Sequence, residues 1–503
     1  MLDIAKLEEE IKEEQSNSNK QPETMNELYI LLQQLGKAWR EENAYIVNEG
    51  QKNERTVTPQ PNVSTVAKVL EKHCHFTFIG EGAISDISKL YIYHLDLGYY
   101  VSSDDVFRKL LLKYDNRLTS NKFFTELIAY IRTETKIQPP LSDYKYIPVS
   151  NGVYNIKTKQ LEEFRPDFII TSKIKTSYNP LAKKPILGGW FDFDKWLDTL
   201  ACNDKELVTL LWQVMNEAIN PNRTRKKMVL LVGDGNNGKG TFQALLENLI
   251  GRENISNLKP DQFGKEFYLG ALEGKVCNIG DDISNKYLDE VSDLMSVVSG
   301  DPVQVNKKGK QPIEARFKLL CIFSGNDLPN ARNKTNGWYR RLCIIPFNAD
   351  FNGETERPEI KDEFIKDKSL LEWVLFHILN MADFDKFIEP KAVKKMLTEY
   401  QNNNDYIKVW VENYYIPNGW HEVNHVPMFI ARNKLKEFAE DIGIDKPKLG
   451  QFGKNVISEL EKQTHNKYNI GNGTTKKEFY DTLDPNGFYG NKFIGVWGIK
   501  LEK

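Results

Sequence analysis

The sequence predicts a multidomain α/β protein, and three observations predict it. Apolar strand-like runs alternate with helical stretches from residue 225 to about 350. A glycine-rich loop, Gly233–Thr241, joins one such run to a helix, and the 503-residue chain is too long for one compact core. The expected layout is a flexible tail over 1–25, a helical or α+β domain over 26–180, a central α/β nucleotide domain over 181–395 and a winged-helix-like domain over 396–503.

Composition sets outer limits. Hydrophobic residues at 40% and charged residues at 27% give an ordinary globular balance, so the bulk of the chain is expected to fold. Sixty-eight Lys and Arg against 70 Asp and Glu leave a net charge of −2, which neither demands nor excludes nucleic acid, so local patches must decide. Cys74, Cys202, Cys277, Cys321 and Cys343 form no C-x-x-C pair and read as reduced core thiols of a cytoplasmic protein. No apolar run of about 18 residues occurs, and MLDIAKLEEEIKEEQ is acidic where a signal peptide is basic, so neither membrane spanning nor secretion is expected.

Each domain has its own pattern. Residues through Glu14 suit a short charged helix, and QSNSNKQPETMN after them a tether. VSTVAKVLEKHCHF and NKFFTELIAYIRTET carry helical spacing, while KLYIYHLDLGYYV alternates as a strand pair does. His73-Cys74-His75 has no nearby fourth ligand and reads as structural. IPVSNGVYNIKTKQLEEF reads as two strands around an Asn-Gly turn. Helices follow from Trp190 through Ala218, and beyond Asp350 the chain is again helical.

The central loop carries the first chemical signal. KMVLLV leads into Gly233, Asp234, Gly235, Asn236, Asn237, Gly238, Lys239, Gly240 and Thr241, and FQALLENLIG continues as a helix. Glycines let consecutive amides wrap phosphates, the helix start adds a favourable dipole, and a lysine at Lys239 reaches the β and γ oxygens of ATP. One position departs from the usual pattern. Gly240 stands where a Ser or Thr hydroxyl touches Mg2+, and Thr241 follows one step late, turned by about 100° around the helix. Thr241 reaches the ion only if the helix start adjusts, or acts through water.

Downstream residues fit hydrolysis. KVCNIG ends in Asp281 and Asp282 about 40 residues after Lys239, which is where a strand delivers a magnesium-holding carboxylate and a water-activating one; a solvated turn is the plainer alternative. KLLCIFS runs into Asn326, whose amide suits positioning of water at the γ-phosphate and equally suits a turn. Arg340 and Arg341 precede the strand LCIIPF, a place that suits an arginine finger inserted into a neighbour's site; a surface salt bridge is the other reading.

In order and spacing these elements resemble the superfamily 3 helicases, in the phage, plasmid and poxvirus branch associated with primases. The resemblance covers about 150 residues of the core, and NGVYNIKTKQLEEFRPDFIITSKIKTSYNP looks like the segment that precedes the helicase there. It implies an AAA+-like P-loop ATPase, expected as a hexamer, that moves along single-stranded and forked DNA, usually 3′ to 5′, with ATP and Mg2+ as cofactors. Thr241 and Asp281 are the expected Mg2+ ligands.

Gly300–Pro312 reads as a β-hairpin whose tip carries Lys307, Lys308 and Lys310, and the resemblance places such a hairpin in the ring channel, where ammonium groups grip phosphates without reading bases. In the C-terminal part, helices followed by FYGNKFIGVWGIKL suggest a winged helix. Its recognition helix is expected at Lys448–Lys462, with Lys446, Lys448 and Lys454 on origin duplex phosphates; a protein-binding winged helix fits almost as well. The rivals are a nucleotide phosphotransferase, which shares the GKGT loop, and a non-motor initiator that uses ATP only to assemble. No acidic metal pair or zinc-binding cysteines stand out in residues 1–180, so priming is expected from a separate primase.

Overall fold

The computed structural model describes residues 21–80, 88–283, 288–306, 312–329, 331, 335–353, 356–441, 451–490 and 492–502. The expected N-terminal helix through Glu14 lies outside them. The first described helix is Met25–Glu42, where the Thr24 hydroxyl accepts from the Glu27 amide at 3.1 Å and satisfies a donor that a helix start otherwise leaves open. With Val63–His73, Asp104–Tyr114 and Asn121–Glu134 it packs on a four-stranded sheet. Spatially the strands run Tyr99–Val101, Leu90–His94, Phe76–Ile79, Ile137–Gln138. Cys74 is buried in this core, and burial pushes its thiol up to about 12.

An antiparallel meander follows, Tyr146–Val149, Gly152–Asn155 and Gln160–Glu162. Val149 pairs with Gly152, so the turn is Ser150-Asn151, one residue earlier than the Asn-Gly step suggests. The third strand is additional to the sequence reading. It becomes possible because Lys159 takes a left-handed φ of 57° that reverses the chain. Ile147, Val149, Tyr154 and Ile174 join the core of the central sheet, which seats the meander against the central domain.

That sheet holds five parallel strands: β1 (Met228–Val232), β2 (Ile255–Ser256), β3 (Cys277–Gly280), β4 (Leu320–Gly325) and β5 (Leu342–Pro346). Their spatial order is β2-β3-β4-β1-β5. The chain leaves β1 toward one edge and later crosses from β4 to β5 on the other side. The crevice at the carboxyl ends of β1 and β4 is therefore a topological switch point, where open α/β sheets bind ligands.

Both faces are covered, as a parallel sheet requires. Val229 and Leu231 point to helices Phe193–Leu200, Lys205–Ala218, α1 (Lys239–Ile250) and Lys368–Asn380. Met228 and Leu230 point oppositely, to Val297, Trp338, Tyr339 and Tyr400. Cys277, Cys321 and Cys343 are buried in this sheet. Cys202 departs from the expected core placement and is exposed, because the chain reverses there between two helices with Cys202 at φ 50° and Asn203 at φ 64°.

Ahead of β4 stands the hairpin Pro302–Val305 with Ile313–Arg316, in which Val305 pairs with Ile313 and Pro302 with Arg316. The second strand runs further along the chain than the expected Gly300–Pro312 span. Lys307, Lys308 and Lys310 lie outside the described residues. Val303 and Val305 are buried, so the base of the hairpin is anchored in the sheet's second core.

The C-terminal module gathers Trp410, Tyr415, Trp420 and Phe452 in its own core. Helices Met428–Asp441 and Phe452–Thr464 accompany a three-stranded antiparallel sheet ordered His425–Pro427, Val496–Glu502, Lys467–Gly473. Of FYGNKFIGVWGIKL only the final segment is strand, and it pairs back to Lys467–Gly473. Lys454 is exposed on helix Phe452–Thr464, while Lys446 and Lys448 lie outside the described residues. Among the described residues no helix is long and apolar enough to cross a membrane.

Candidate nucleotide site

The glycine loop leaves β1 at the switch point and enters α1 directly. Gly235 at φ 106° and Gly238 at φ 86° take left-handed conformations, and Asn236 joins them at φ 39°. A side chain on Gly238 would meet Leu200 Cδ2 at 2.2 Å, so the loop lies hard against helix Phe193–Leu200. Two asparagines brace the loop from β5's side. Asn237 Nδ2 donates to the Phe347 carbonyl at 2.8 Å, and Asn236 Nδ2 to the Phe351 carbonyl at 3.2 Å and Asn352 Oδ1 at 3.0 Å.

Lys239 is 8% exposed and folds back over the loop. Its ammonium donates to the Gly233 carbonyl and to Asn237 Oδ1 at 3.0 Å. Burial lowers its pKa, against the opposing pull of Asp234 and Asp281. The cation is thus desolvated, held by neutral acceptors and faced by two carboxylates. A phosphate chain in the loop would give it stronger, charged acceptors.

Strand β4 brings the second group of residues to the loop. The Gly233 amide donates to the Gly325 carbonyl at 3.4 Å, which places Asn326, exposed at the next position, beside the loop's first residue. On the other flank of β4, the Ser324 hydroxyl donates to Asp281 Oδ1, and the Ile283 amide donates to the Ser324 carbonyl at 2.8 Å. The two aspartates are not equivalent. Asp281 acts electrostatically on Lys239, whereas Asp282 takes a left-handed φ of 48° and its backbone carbonyl accepts from Lys259 Nζ at 2.8 Å.

Ser324 is a site residue that the sequence reading passed over, since a serine within an apolar run shows its role only when the neighbouring strand is known. The two arginines also separate. Arg341 is 9% exposed, donates to Ser299 Oγ at 2.8 Å and to the Gly337 carbonyl at 2.5 Å, and burial lowers its pKa. Arg340 is exposed.

Thr241 and Gly240 line a cavity of about 720 Å³ next to the loop, together with Gly235–Lys239. Its lining is also aromatic, with Trp190, Phe191, Trp196 and, against the loop itself, Phe351. Asp281 and Thr241 offer oxygen ligands only, the set Mg2+ takes, and Mg2+ characteristically pairs one or two carboxylates with substrate phosphates. The residues present therefore fit the ion.

Comparisons with known proteins agree in direction. The family described as D5 N terminal like matches residues 18–202, and a family of unknown function, DUF5906, matches residues 231–341. Putative helicase L207/L206 of Acanthamoeba polyphaga mimivirus is 24% identical over 345 residues, covering 61% of this chain and 34% of the viral protein. Putative helicase 184R of Invertebrate iridescent virus 6 is 23% identical over 245 residues, covering 45% of this chain and 25% of its own length. The chain thus spans between a quarter and about a third of the length of these relatives. The apo structure of the NrS-1 C terminal region superposes with a TM-score of 0.47 at 13% identity, over 83% of this chain and 98% of that one. The family match and the viral relatives together support kinship with proteins of the primase-helicase type.

Proposed function

We propose that this chain is an ATP-hydrolysing DNA helicase of the superfamily 3, AAA+-like type, a replication protein of a phage or other mobile element that works as a ring, with six subunits as the expected number. The observation that carries the proposal is the meeting of Lys239, Asp281 and Asn326 around β4, at the switch point of a parallel sheet. Viral relatives with the name putative helicase support the same reading.

In this reading Gly233–Gly238 cradle the phosphates by their amides and Lys239 exchanges its two neutral acceptors for β and γ oxygens. Thr241 and Asp281 would hold Mg2+, whose charge would offset that of the phosphate chain. Asn326 orients the attacking water, and Asp282 stands by as a second carboxylate. Arg340, from a neighbouring subunit, meets the charge that develops on the γ-phosphate, while Arg341 keeps its turn in place. The hairpin of Lys307, Lys308 and Lys310 grips the single strand, and the C-terminal module with Lys446, Lys448 and Lys454 binds origin duplex.

Ser324 fixes the orientation of Asp281, so its role is positional. Hydrogen bonds to a charged group are worth about 1.5–3 kcal/mol. Ser324→Ala should therefore lower kcat for ATP hydrolysis about tenfold or more with little change in KM, measured by steady-state phosphate release; an unaltered kcat would remove Ser324 from the mechanism.

Unwinding of a 3′-tailed duplex tests the function itself. Wild type should separate the strands in the presence of ATP, and a Lys307→Ala/Lys308→Ala variant should still hydrolyse ATP yet unwind poorly. Hydrolysis by wild type without any strand separation would defeat the helicase reading and favour an initiator that uses ATP only to assemble.

A further inference from the structure

The cavity beside the loop is larger than a phosphate chain needs. At about 720 Å³ it has the size of a pocket for a whole small ligand, and only one end is made by Gly235–Thr241. The rest of its wall includes Trp190 and Trp196, with Pro358 and Ile360, while the Phe351 ring lies against Gly238 and joins this aromatic surface to the loop. Inorganic phosphates would leave this aromatic end in contact with water.

We infer that the aromatic end seats the base of a purine nucleoside triphosphate, with the Trp190 indole as stacking platform; this rests on the reading that the glycine loop holds the phosphates. Three features of the chain support the assignment. Gly188 at φ 56° and Gly189 at φ 75° make the turn that delivers Trp190, a geometry that residues with side chains rarely adopt. The turn is closed by the Trp190 amide on the Leu187 carbonyl at 3.1 Å and the Phe191 amide on the same carbonyl at 2.9 Å. The ring is therefore positioned by backbone, yet it remains 49% exposed, although it packs edge-on with Phe191 and Phe364 at 6.0 and 5.6 Å.

The second feature is a shared wall. Asp192, Lys195, Trp196 and Thr199 occupy one side of the helix that Asp192 caps, and all four line the cavity. The last residue of that helix, Leu200, is the one pressed against Gly238. A ligand touching Trp196 and the loop at once is thus held between elements already in contact.

The third feature is chemical. Aromatic surface binds bases by stacking, and a purine offers more area than a pyrimidine. Charged side chains line the cavity as well, Asp192, Lys195, Glu356 and Arg357 among them, and offer polar partners for the ribose and base edges.

Calorimetric titration of the full chain with ATP, UTP and inorganic tripolyphosphate tests the inference, using wild type, Trp190→Ala, Trp190→Phe and Lys239→Ala. Wild type should bind ATP about tenfold or more tighter than tripolyphosphate, with UTP between them, from the usual strength of base stacking. Trp190→Ala should erase most of the advantage of ATP while leaving tripolyphosphate binding unchanged, and Trp190→Phe should retain it. An ATP to tripolyphosphate ratio that survives Trp190→Ala overturns the inference. Should that variant not fold, the wild-type ratio decides, and a value near one overturns it. Lys239→Ala should weaken both ligands alike; unchanged tripolyphosphate binding in that variant would instead count against the phosphate role of the loop.

Discussion

Arg340→Ala should lower kcat for ATP hydrolysis by about 10³-fold, the lower end of the effect of a trans-acting arginine finger, with ATP affinity of the separate subunit unchanged. The expectation follows from the contrast within the pair. Arg341 is committed to Ser299 and Gly337 inside its own subunit, and only Arg340 is exposed at the entrance to β5. An arginine acting on the neighbour's phosphate has a signature that no structural arginine shares. Mixing Arg340→Ala with Lys239→Ala chains should restore part of the activity, because some interfaces then pair an intact loop with an intact arginine. Absence of rescue at every mixing ratio would assign Arg340 to its own subunit or to no catalytic role. Arg341→Ala should behave differently, as a loss of thermal stability, since it leaves the Ser299 hydroxyl and the Gly337 carbonyl without their buried partner.

Lys239→Ala should reduce hydrolysis about 10²- to 10³-fold, the range for removing one preorganised donor from developing charge. Lys239 differs from a surface lysine because the fold has already stripped its water and lowered its pKa. Below its pKa the ammonium is charged, and ATP in the loop adds negative charge that raises that pKa again, so hydrolysis should not fall on the alkaline side until well above neutral pH. A pH profile of kcat/KM for wild type checks this. A rate that dropped between pH 7 and 8 would show the lysine deprotonating in the empty site and would contradict the acceptor arrangement seen around it.

Several elements could be read directly from the chain because their signals are local. The strand, glycine loop and helix around Lys239 needed nothing from elsewhere, nor did the apolar runs that became β1, β3, β4 and β5. Other elements depend on partners far away in sequence. Strand β2 is only Ile255–Ser256, too short to show a period, and exists because β3 pairs with it. Lys467–Gly473 carries two glycines and only two alternating apolar residues, Tyr468 and Ile470, yet it pairs along its whole length with Val496–Glu502. The aromatic wall of the cavity was hidden for the same reason, since Trp190, Trp196, Phe351 and Ile360 come from segments on either side of the whole sheet. Arg340 and Arg341 read as an equivalent pair until burial separated them. Cys202 resembled the other thiols until its turn placed it outside.

The connection between hairpin and sheet has a mechanical consequence. From Arg316 to Leu320 the chain has only Phe317, Lys318 and Leu319, and both Phe317 and Leu319 are buried. Three extended residues span at most about 11 Å, and two of these are pinned. Such a link is a strut and not a tether, because it has no slack in which a displacement could be lost. In a ring motor of the proposed kind, a small shift of β4 passed on from the loop and Asp281 through Gly325 and Ser324 would reach the hairpin base at nearly full amplitude, and the stroke of each subunit would be set by the travel of one strand.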